Sequence, residues 1–182
     1  MIPEPRLVEQ LRELIAQLNA RGVRHALIGG LAVGVYGHVR ATRDIDLLID
    51  LVSEPAVSDV MRQLGYEVID RRENLSSYVR GSERADFLHA HRDNALRILA
   101  EARPLAYSDV ALPVVSLEGL IGFKIQAYTD DPRRLRDLSD MLELVRLAGQ
   151  DFNWDEVREY FRTFHQDELF NALKQAADAD GA

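Results

Sequence analysis

The sequence predicts an α+β fold, with strands and helices mixed up to about residue 115 and only helices after that point. Short apolar runs bounded by glycine or charged residues, which are typical of strands, occur in the first part. Apolar residues at helical spacing occur in both parts and dominate from Ser116 onward. We therefore expect residues 1–115 to form an α+β core that includes an N-terminal helix. Residues 116–182 should form a helical C-terminal region packed on that core.

The composition is that of a globular protein with a substantial core. The 182 residues are 47% hydrophobic and 29% charged, which suits one domain or one domain with a small appendage. Cysteine is absent, so the sequence offers neither a disulfide framework nor a thiolate zinc site. The net charge of −8 argues against a protein that coats nucleic acid by electrostatics alone. A local basic patch that holds one RNA end remains compatible with that charge.

The sequence contains no apolar run of membrane-spanning length. The first residues, Met1–Arg6, lack the basic and apolar regions of a signal peptide. We therefore expect a cytoplasmic protein with no membrane partner.

The elements of the first part follow from apolar periodicity and from turn residues. Ser53-Glu54-Pro55 is typical of a helix start, with a cap, a first-turn acid and an early proline. In chain order we expect a helix over Leu7–Leu18 that stops at Gly22, a strand over Val23–Ile28, a short helix over Leu31–Tyr36, a strand over Asp44–Leu51, a helix from Ser53 to Leu64, a hairpin of Tyr66–Asp70 and Ser77–Arg80 with a polar, mobile link over Arg71–Leu75, a strand over Glu83–His89, a helix over Asp93–Ala102, and strands over Pro104–Tyr107 and Leu112–Val115.

The helices of the second part are predicted in the same way. The first one carries an apolar stripe from Leu117 to Tyr128 whose only charge is Lys124. The next opens with Asp131-Pro132 as cap and first residue, and it ends at Gly149. Further helices are expected over Trp154–Phe164 and Gln166–Ala177. The residues that should point inward from the helix opened by Asp131 are Leu135, Leu138, Leu142 and Val145.

The first candidate site is a pair of carboxylates on one strand. Alternate residues of a strand share a face, so Asp44 and Asp46 point the same way and Ile45 points the other way. Two neighbouring carboxylates repel each other and raise each other's pKa unless a cation lies between them. Mg²⁺, or Mn²⁺ in its place, prefers such oxygen ligands and is often held by one or two carboxylates together with substrate phosphates.

A glycine pair precedes this strand. Gly29 and Gly30 allow a tight turn and a close approach to a ligand, and the helix that follows would direct free N–H groups at an anion. A phosphate-binding turn beside a pair of metal-binding aspartates indicates a nucleoside triphosphate.

A third carboxylate, Asp86, lies within an apolar strand and needs a partner there. One alternative is a salt bridge to Arg84 or Arg80. The other is that Asp86 meets Asp44 and Asp46 across neighbouring strands, where three carboxylates could hold two Mg²⁺ ions and orient an attacking hydroxyl.

Lys124 is the charged residue of the apolar helical stripe. A lysine in that position either reaches the surface or meets an anion. The anion is either a bound triphosphate or an aspartate of the next helix, where Asp137 and Asp140 share a face. The alternative to a role in catalysis is therefore a structural ion pair between helices.

Taken together, these residues resemble the polymerase-β-type nucleotidyltransferases, and within them the AbiEii/AbiGii group of type IV toxin–antitoxin toxins. The resemblance covers about residues 23 to 148. Its motifs are Ile28-Gly29-Gly30, Asp44-Ile45-Asp46 with the later Asp86, the run from Arg40 through Thr42 to Asp46 that matches Arg-x-Thr-x-Asp-x-Asp, Lys124-Ile125-Gln126-Ala127, and Asp137-Leu138-Ser139-Asp140.

The resemblance implies a mixed sheet flanked by helices, and transfer of a nucleoside monophosphate from an NTP to an acceptor with loss of pyrophosphate. For such toxins the acceptor is a tRNA 3′ end and the partner is a cognate antitoxin. In our hypothesis Asp44, Asp46 and Asp86 bind metal, and Asp86 also lowers the pKa of the acceptor hydroxyl. The β/γ-phosphates meet the backbone of Gly29 and Gly30, Lys124 neutralises phosphate charge and is oriented by Asp137 or Asp140, and Arg40 and Thr42 contact phosphate or brace the turn.

Two other functions fit the same residues. A small-molecule acceptor, as in antibiotic nucleotidyltransferases, keeps the chemistry, and the acidic net charge would attract a cationic acceptor. A degenerate fold that senses nucleotides or binds protein would bind nucleotide without turnover. The intact set of carboxylates argues against this second alternative.

Overall fold

The structure is a computed structural model, and it describes residues 5–38, 41–149 and 152–180. Within these residues the chain divides into two compact units. The first unit comprises residues 5–35 and 41–115, and the second comprises residues 36–38 and 116–180.

The first unit is built on a mixed sheet. The described strands form one seven-stranded sheet in the order β3-β4-β5-β2-β1-β7-β6. The pairs β1–β7 and β2–β5 are parallel and the other neighbours are antiparallel. The predicted α+β fold with a mixed sheet is therefore confirmed. The strands are β1 (His25–Leu27), β2 (Asp44–Asp50), β3 (Glu67–Arg72), β4 (Leu75–Arg80), β5 (Glu83–Ala90), β6 (Arg103–Tyr107) and β7 (Val110–Val114).

Residue alternation in β2 separates the core from the candidate site. Ile45, Leu47 and Ile49 are fully buried, whereas Asp44 and Asp46 stay partly exposed. The neighbouring β5 follows the same alternation, because its Ala85 and Phe87 are fully buried as well. Apolar residues therefore anchor one face of both strands, whereas the other face of β2 carries the two aspartates and one buried apolar residue, Leu48.

Helices of the first unit contribute buried apolar residues. The stripe predicted for the first helix is confirmed, since Leu7, Leu11, Leu14 and Leu18 are all buried. The helices of this unit are α1 (Pro5–Ala20), α2 (Gly29–Val35), α3 (Glu54–Gln63) and α4 (Asp93–Glu101).

The link predicted to be mobile is instead a tight turn. β3 continues to Arg72 and β4 begins at Leu75, so only Glu73 and Asn74 lie between them. Both are bound to His89 of β5: its Nδ1 lies 3.0 Å from the Glu73 carbonyl oxygen, and its backbone N–H donates to the Asn74 carbonyl oxygen at 3.0 Å. Hydrogen bonds to a neighbouring strand therefore order a segment whose composition is polar.

Helix α3 starts as predicted, with Ser53 at its N-cap, Glu54 in the first turn and a proline at the first helical positions. The Ser53 side chain makes no cap hydrogen bond, however. Residues Leu51–Ser53 form a short 3₁₀ helix before α3, and the Asp50 carboxylate caps that helix by accepting from the Val52 N–H at 3.3 Å.

The second unit consists of helices, as predicted. Its second helix, however, starts after the predicted residue and buries a different face from the predicted one. It begins at Leu135, and Asp131 instead ends the preceding helix. Of the four residues predicted to point inward only Val145 is buried, and Leu135 is 66% exposed. The helices are α5 (Leu117–Asp130), α6 (Leu135–Arg146), α7 (Trp154–Thr163) and α8 (Asp167–Asp180), and the residues that α6 buries are Asp137, Asp140, Met141, Leu144 and Val145.

No helix in the part of the chain that the structure describes is long and apolar enough to cross a bilayer.

His25 is a buried histidine in the centre of the sheet. It is 4% exposed, and its Nδ1 donates to the Val23 carbonyl oxygen at 2.8 Å. The other ring nitrogen, Nε2, is buried without a hydrogen-bond partner. Burial lowers the pKa of His25 below its ordinary 6.5, and the bond to Val23 only partly offsets that effect.

This burial makes stability depend on pH. The neutral form of His25 is favoured in the fold, so its contribution is complete above the ordinary pKa of 6.5 and is lost as the pH falls below that value. Between about pH 7.5 and about pH 5.5 we expect the free energy of unfolding to fall by about 1 kcal/mol more in the wild type than in His25→Leu. Urea denaturation at both pH values measures the difference, with His91→Gln as the control. If the free energy of unfolding changes equally between the two pH values in the wild type and in His25→Leu, this prediction is contradicted.

Candidate active site

The carboxylates of the candidate site lie on two adjacent strands. β2 and β5 are parallel, and their register places Asp46 directly beside Asp86 and Asp44 directly beside Arg84. Neighbouring strands are about 4.8 Å apart and successive residues on one face about 6.5 Å, so these four side chains form a small rectangle on one face. The structure thus brings Asp44, Asp46 and Asp86 together, as the sequence analysis expected.

The glycine turn lies against the second aspartate. Gly29 has a positive φ of +66°, and a Cβ atom there would come within 2.6 Å of Asp46 Cγ and 2.7 Å of Asp46 Cβ. The adjacent Ile28 N–H donates to the Asp46 carbonyl oxygen at 3.0 Å, which holds the turn onto β2. Both the backbone conformation and the space therefore require glycine at position 29.

Arg84 is the cation of this rectangle. Its Nε lies 3.1 Å from both carboxylate oxygens of Asp86. The pKa of Arg84 is raised, first by this hydrogen bond and then by the charges of Asp86, Asp44 and Asp46, with desolvation acting against them. Of the two alternatives for Asp86, the structure shows the salt bridge to Arg84, and the strand register also places Asp86 beside Asp46.

The donor set suits a hard divalent cation by its chemistry, because carboxylate oxygens on adjacent strands are the ligands that Mg²⁺ prefers. As the side chains stand, however, the described residues contain no group of three His, Cys, Asp or Glu placed to hold a metal ion. The Asp86 carboxylate is directed at Arg84 instead.

Ser77 is a neighbour of the site that the sequence analysis did not single out. It lies directly opposite Asp86 on β4, and directly opposed residues of antiparallel strands point to the same face. The Ser77 hydroxyl is buried and has no hydrogen-bond partner. Only the register of the hairpin places it there, and the sequence does not specify that register.

The remaining residues predicted near the phosphates lie on either side of β2. Gly30 follows Gly29 in α2 and is buried. Thr42 lies two residues before β2 and its side chain is half-buried. Arg40 lies outside the described residues.

A second charged cluster lies within the second unit. Lys124 of α5 donates from Nζ to Asp140 Oδ2 at 2.6 Å and to Asp137 Oδ1 at 3.1 Å, both on α6. The side chains of Lys124, Asp137 and Asp140 are 7%, 9% and 2% exposed. Arg134 Nε also donates to Asp137 Oδ2 at 2.6 Å, so both Lys124 and Arg134 bind Asp137.

The bonds to Lys124 explain why α6 turns Asp137 and Asp140 inward. A buried carboxylate is costly unless it is paired, and both aspartates turn inward to the lysine of α5. Of the alternatives for Lys124, the structure describes the ion pair between helices.

Comparison with known proteins identifies the class of the chain. A family model described as uncharacterised nucleotidyltransferase matches residues 4–177. The chain belongs to this family, and it is an enzyme of the nucleotidyl-transferring class. No curated protein sequence gives a significant match.

Solved structures show the same fold at low sequence identity. The antibiotic-resistance factor ANT(2″)-Ia is 18% identical with a TM-score of 0.66, over 92% of this chain and 95% of that protein. An antigenic nucleotidyltransferase-like protein from Paracoccidioides brasiliensis is 16% identical with a TM-score of 0.59, over 96% of this chain and 94% of that one. The lincosamide antibiotic adenylyltransferase LnuA, solved with lincomycin bound, is 16% identical with a TM-score of 0.55, over 80% and 98%.

Replacement of Gly29 tests the contact between the turn and Asp46. Gly22 has the same φ of +66° but open space around its Cα, so Gly22→Ala carries the backbone strain alone. We expect Gly22→Ala to lower the free energy of unfolding by about 1 kcal/mol. Gly29→Ala should lower it further and should also weaken NTP binding, because Asp46 has to move.

Thermal unfolding and a fluorescent-nucleotide titration of both variants measure these effects. Equal stability and equal NTP affinity in the two variants would show that the Asp46 contact is unimportant.

Replacement of Lys124 tests the buried cluster. Lys124→Met leaves two buried carboxylates with less cationic compensation, so we expect a loss of about 3 kcal/mol in the free energy of unfolding. The double variant Lys124→Met/Asp140→Leu should recover part of that loss, because one of those charges is then removed. The matched control is Lys174→Met, which loses only an ammonium group 5.6 Å from the Trp154 ring.

Urea denaturation compares these variants. The prediction fails if Lys124→Met is as stable as Lys174→Met.

Proposed function

We propose that this enzyme transfers a nucleoside monophosphate from an NTP to an acceptor hydroxyl in a metal-dependent reaction that uses Asp44, Asp46 and Asp86. The observation that carries the proposal is the position of the Asp46 carboxylate, which lies against Gly29 and directly beside Asp86. A turn that can approach phosphate thus adjoins the carboxylates that would hold the cation.

In this proposal the acceptor oxygen forms a bond to the α-phosphorus, and the bond from that phosphorus to the pyrophosphate oxygen breaks. Asp44 and Asp46 would hold the cation against the triphosphate. A divalent cation bound there would neutralise charge on the phosphates and lower the pKa of the acceptor hydroxyl.

Asp86 would complete the carboxylate set on the side of the acceptor, orient the hydroxyl and help to draw off its proton. The backbone N–H groups of Gly29 and Gly30 would contact the β- and γ-phosphates, with Arg40 and Thr42 bracing the turn or contacting phosphate. Catalysis of this kind depends on positioning and electrostatics rather than on a covalent intermediate.

The role of Lys124 toward phosphate stays a prediction. Within its own unit the ammonium group is already held by Asp137 and Asp140. Those bonds are compatible with a positioning role for the two aspartates as well as with a structural one.

Two acceptor classes follow from different observations. The run Arg-x-Thr-x-Asp-x-Asp resembles the type IV toxins and favours a tRNA 3′ end, with an antitoxin as protein partner. The net charge of −8 favours a small cationic acceptor. The fold shared with ANT(2″)-Ia and LnuA, whose names refer to antibiotics, supports that second class.

The proposal is tested by incubation of the protein with each α-labelled NTP and Mg²⁺, with either total tRNA or a panel of aminoglycosides and lincosamides as acceptor. We expect label to enter one acceptor class with the wild type. In Asp46→Asn and Asp86→Asn the transfer rate should fall by about 100-fold or more, because each change removes a charge that positions the cation. Melting temperatures should change little by comparison.

Asp50→Asn is the matched control, because Asp50 is on the same strand and face but is bound to Arg24 at 2.5 Å. Wild-type transfer by Asp46→Asn would overturn the metal-site proposal. Nucleotide binding without transfer to any acceptor would favour a nucleotide-binding module instead.

A further inference from the structure

We propose that Arg84 is a built-in counter-ion of the carboxylate cluster, and that a divalent cation has to displace its guanidinium from Asp86 in order to bind. Arg84 would then be a positioning residue that sets how tightly the enzyme holds metal. The inference rests on the metal dependence proposed above.

Arg84 lies beside the carboxylates in the sheet. It stands two residues before Asp86 on the same face of β5, and its register partner on β2 is Asp44. Its guanidinium therefore lies among three carboxylates, each of which contributes to the raised pKa of this arginine. Arg80, the other arginine expected as a partner of Asp86, donates instead to Glu13, Glu83 and the Leu64 carbonyl oxygen.

A metal ion and Arg84 would compete for the same carboxylate oxygens of Asp86. Arg84 Nε is 3.1 Å from each Asp86 oxygen, so both oxygens face the guanidinium. A cation that used Asp86 would have to lie close to this positive group, and the two would repel each other. The cation and the guanidinium therefore exclude one another at Asp86.

The site can accommodate the exchange of the Arg84 guanidinium for a metal ion. The Arg84 side chain is 44% exposed, so it can turn toward solvent without a cavity opening in the core. Ser77, across the ladder from Asp86, has a buried hydroxyl without a partner. A small rotation of Asp86 would let Ser77 donate to the carboxylate and replace the hydrogen bond lost from Arg84.

The exchange has a consequence for each form of the protein. Without metal, Arg84 offsets the repulsion among Asp44, Asp46 and Asp86 and stabilises the fold. With metal, the same guanidinium repels the bound cation. The cation therefore binds more weakly than it would bind to the three carboxylates in the absence of Arg84.

The test is the direct binding of Mn²⁺, without nucleotide, by isothermal titration calorimetry and by the loss of the free-ion electron paramagnetic resonance signal. The full chain is compared with Arg84→Met, Arg84→Lys and the control Arg12→Met, which loses an exposed ion pair to Asp109. We expect Arg84→Met to bind Mn²⁺ about 5- to 30-fold more tightly than the wild type, and its metal-free melting temperature to fall. Arg84→Lys should lie between the two, and Arg12→Met should match the wild type.

Unchanged or weaker Mn²⁺ binding by Arg84→Met, with binding intact in the wild type, overturns this inference and leaves the proposed function in place. Mn²⁺ binding that is absent from every variant overturns the metal dependence itself, and the inference with it. If Arg84→Met does not fold, Arg84→Gln takes its place, and Ser77→Ala gives a second measurement. Loss of the hydroxyl should weaken Mn²⁺ binding if Ser77 supports Asp86, and unchanged binding would overturn the proposed replacement of Arg84 by Ser77.

Discussion

The in-register pairing of β2 with β5 is the interaction on which the rest of the structure depends. It sets Asp46 beside Asp86 on one face and, in the same step, buries Ile45 and Phe87 on the other. A slip of one residue would turn each side chain of the shifted strand to the opposite face, so it would bury carboxylates and expose the core. The hydrophobic effect that stabilises the sheet therefore also keeps the carboxylates of both strands on the same face.

The two charged clusters differ in a way that indicates different uses. In the second unit Lys124 binds Asp137 and Asp140, Arg134 binds Asp137, and the Lys124, Asp137 and Asp140 side chains are buried. In the first unit Asp44, Asp46 and Asp86 lie beside Arg84 on a face where the Arg84 and Asp86 side chains are partly exposed. Buried, paired charges resist change, whereas carboxylates on an accessible face can receive a cation from solvent.

The sequence predicted the fold class and the strand that carries Asp44 and Asp46, because alternation and apolar runs are local signals. Partners in space were harder to predict. That Gly29 lies against Asp46, and that Ser77 faces Asp86, depends on the register between segments, which the pattern of a single segment does not specify.

Helix α6 also shows that partners in space are hard to predict from the sequence. Leucine periodicity indicated that Leu135 and Leu138 would point inward, but a lysine on another helix drew Asp137 and Asp140 into the core instead. The periodicity of one segment does not include the charge of a partner that lies elsewhere in the chain.

The parallel order of β2 and β5 also bears on how the chain reaches its native state. Antiparallel β4 and β5 are joined by a short turn and can pair early, whereas β2 meets β5 across roughly 40 intervening residues. Such distant pairing is slow, because the entropy of closing a long loop is lost before the contacts form. We therefore expect Asp86 to join Asp46 after the hairpins have formed, so a chain with only its hairpins would contain the candidate carboxylates without the candidate site.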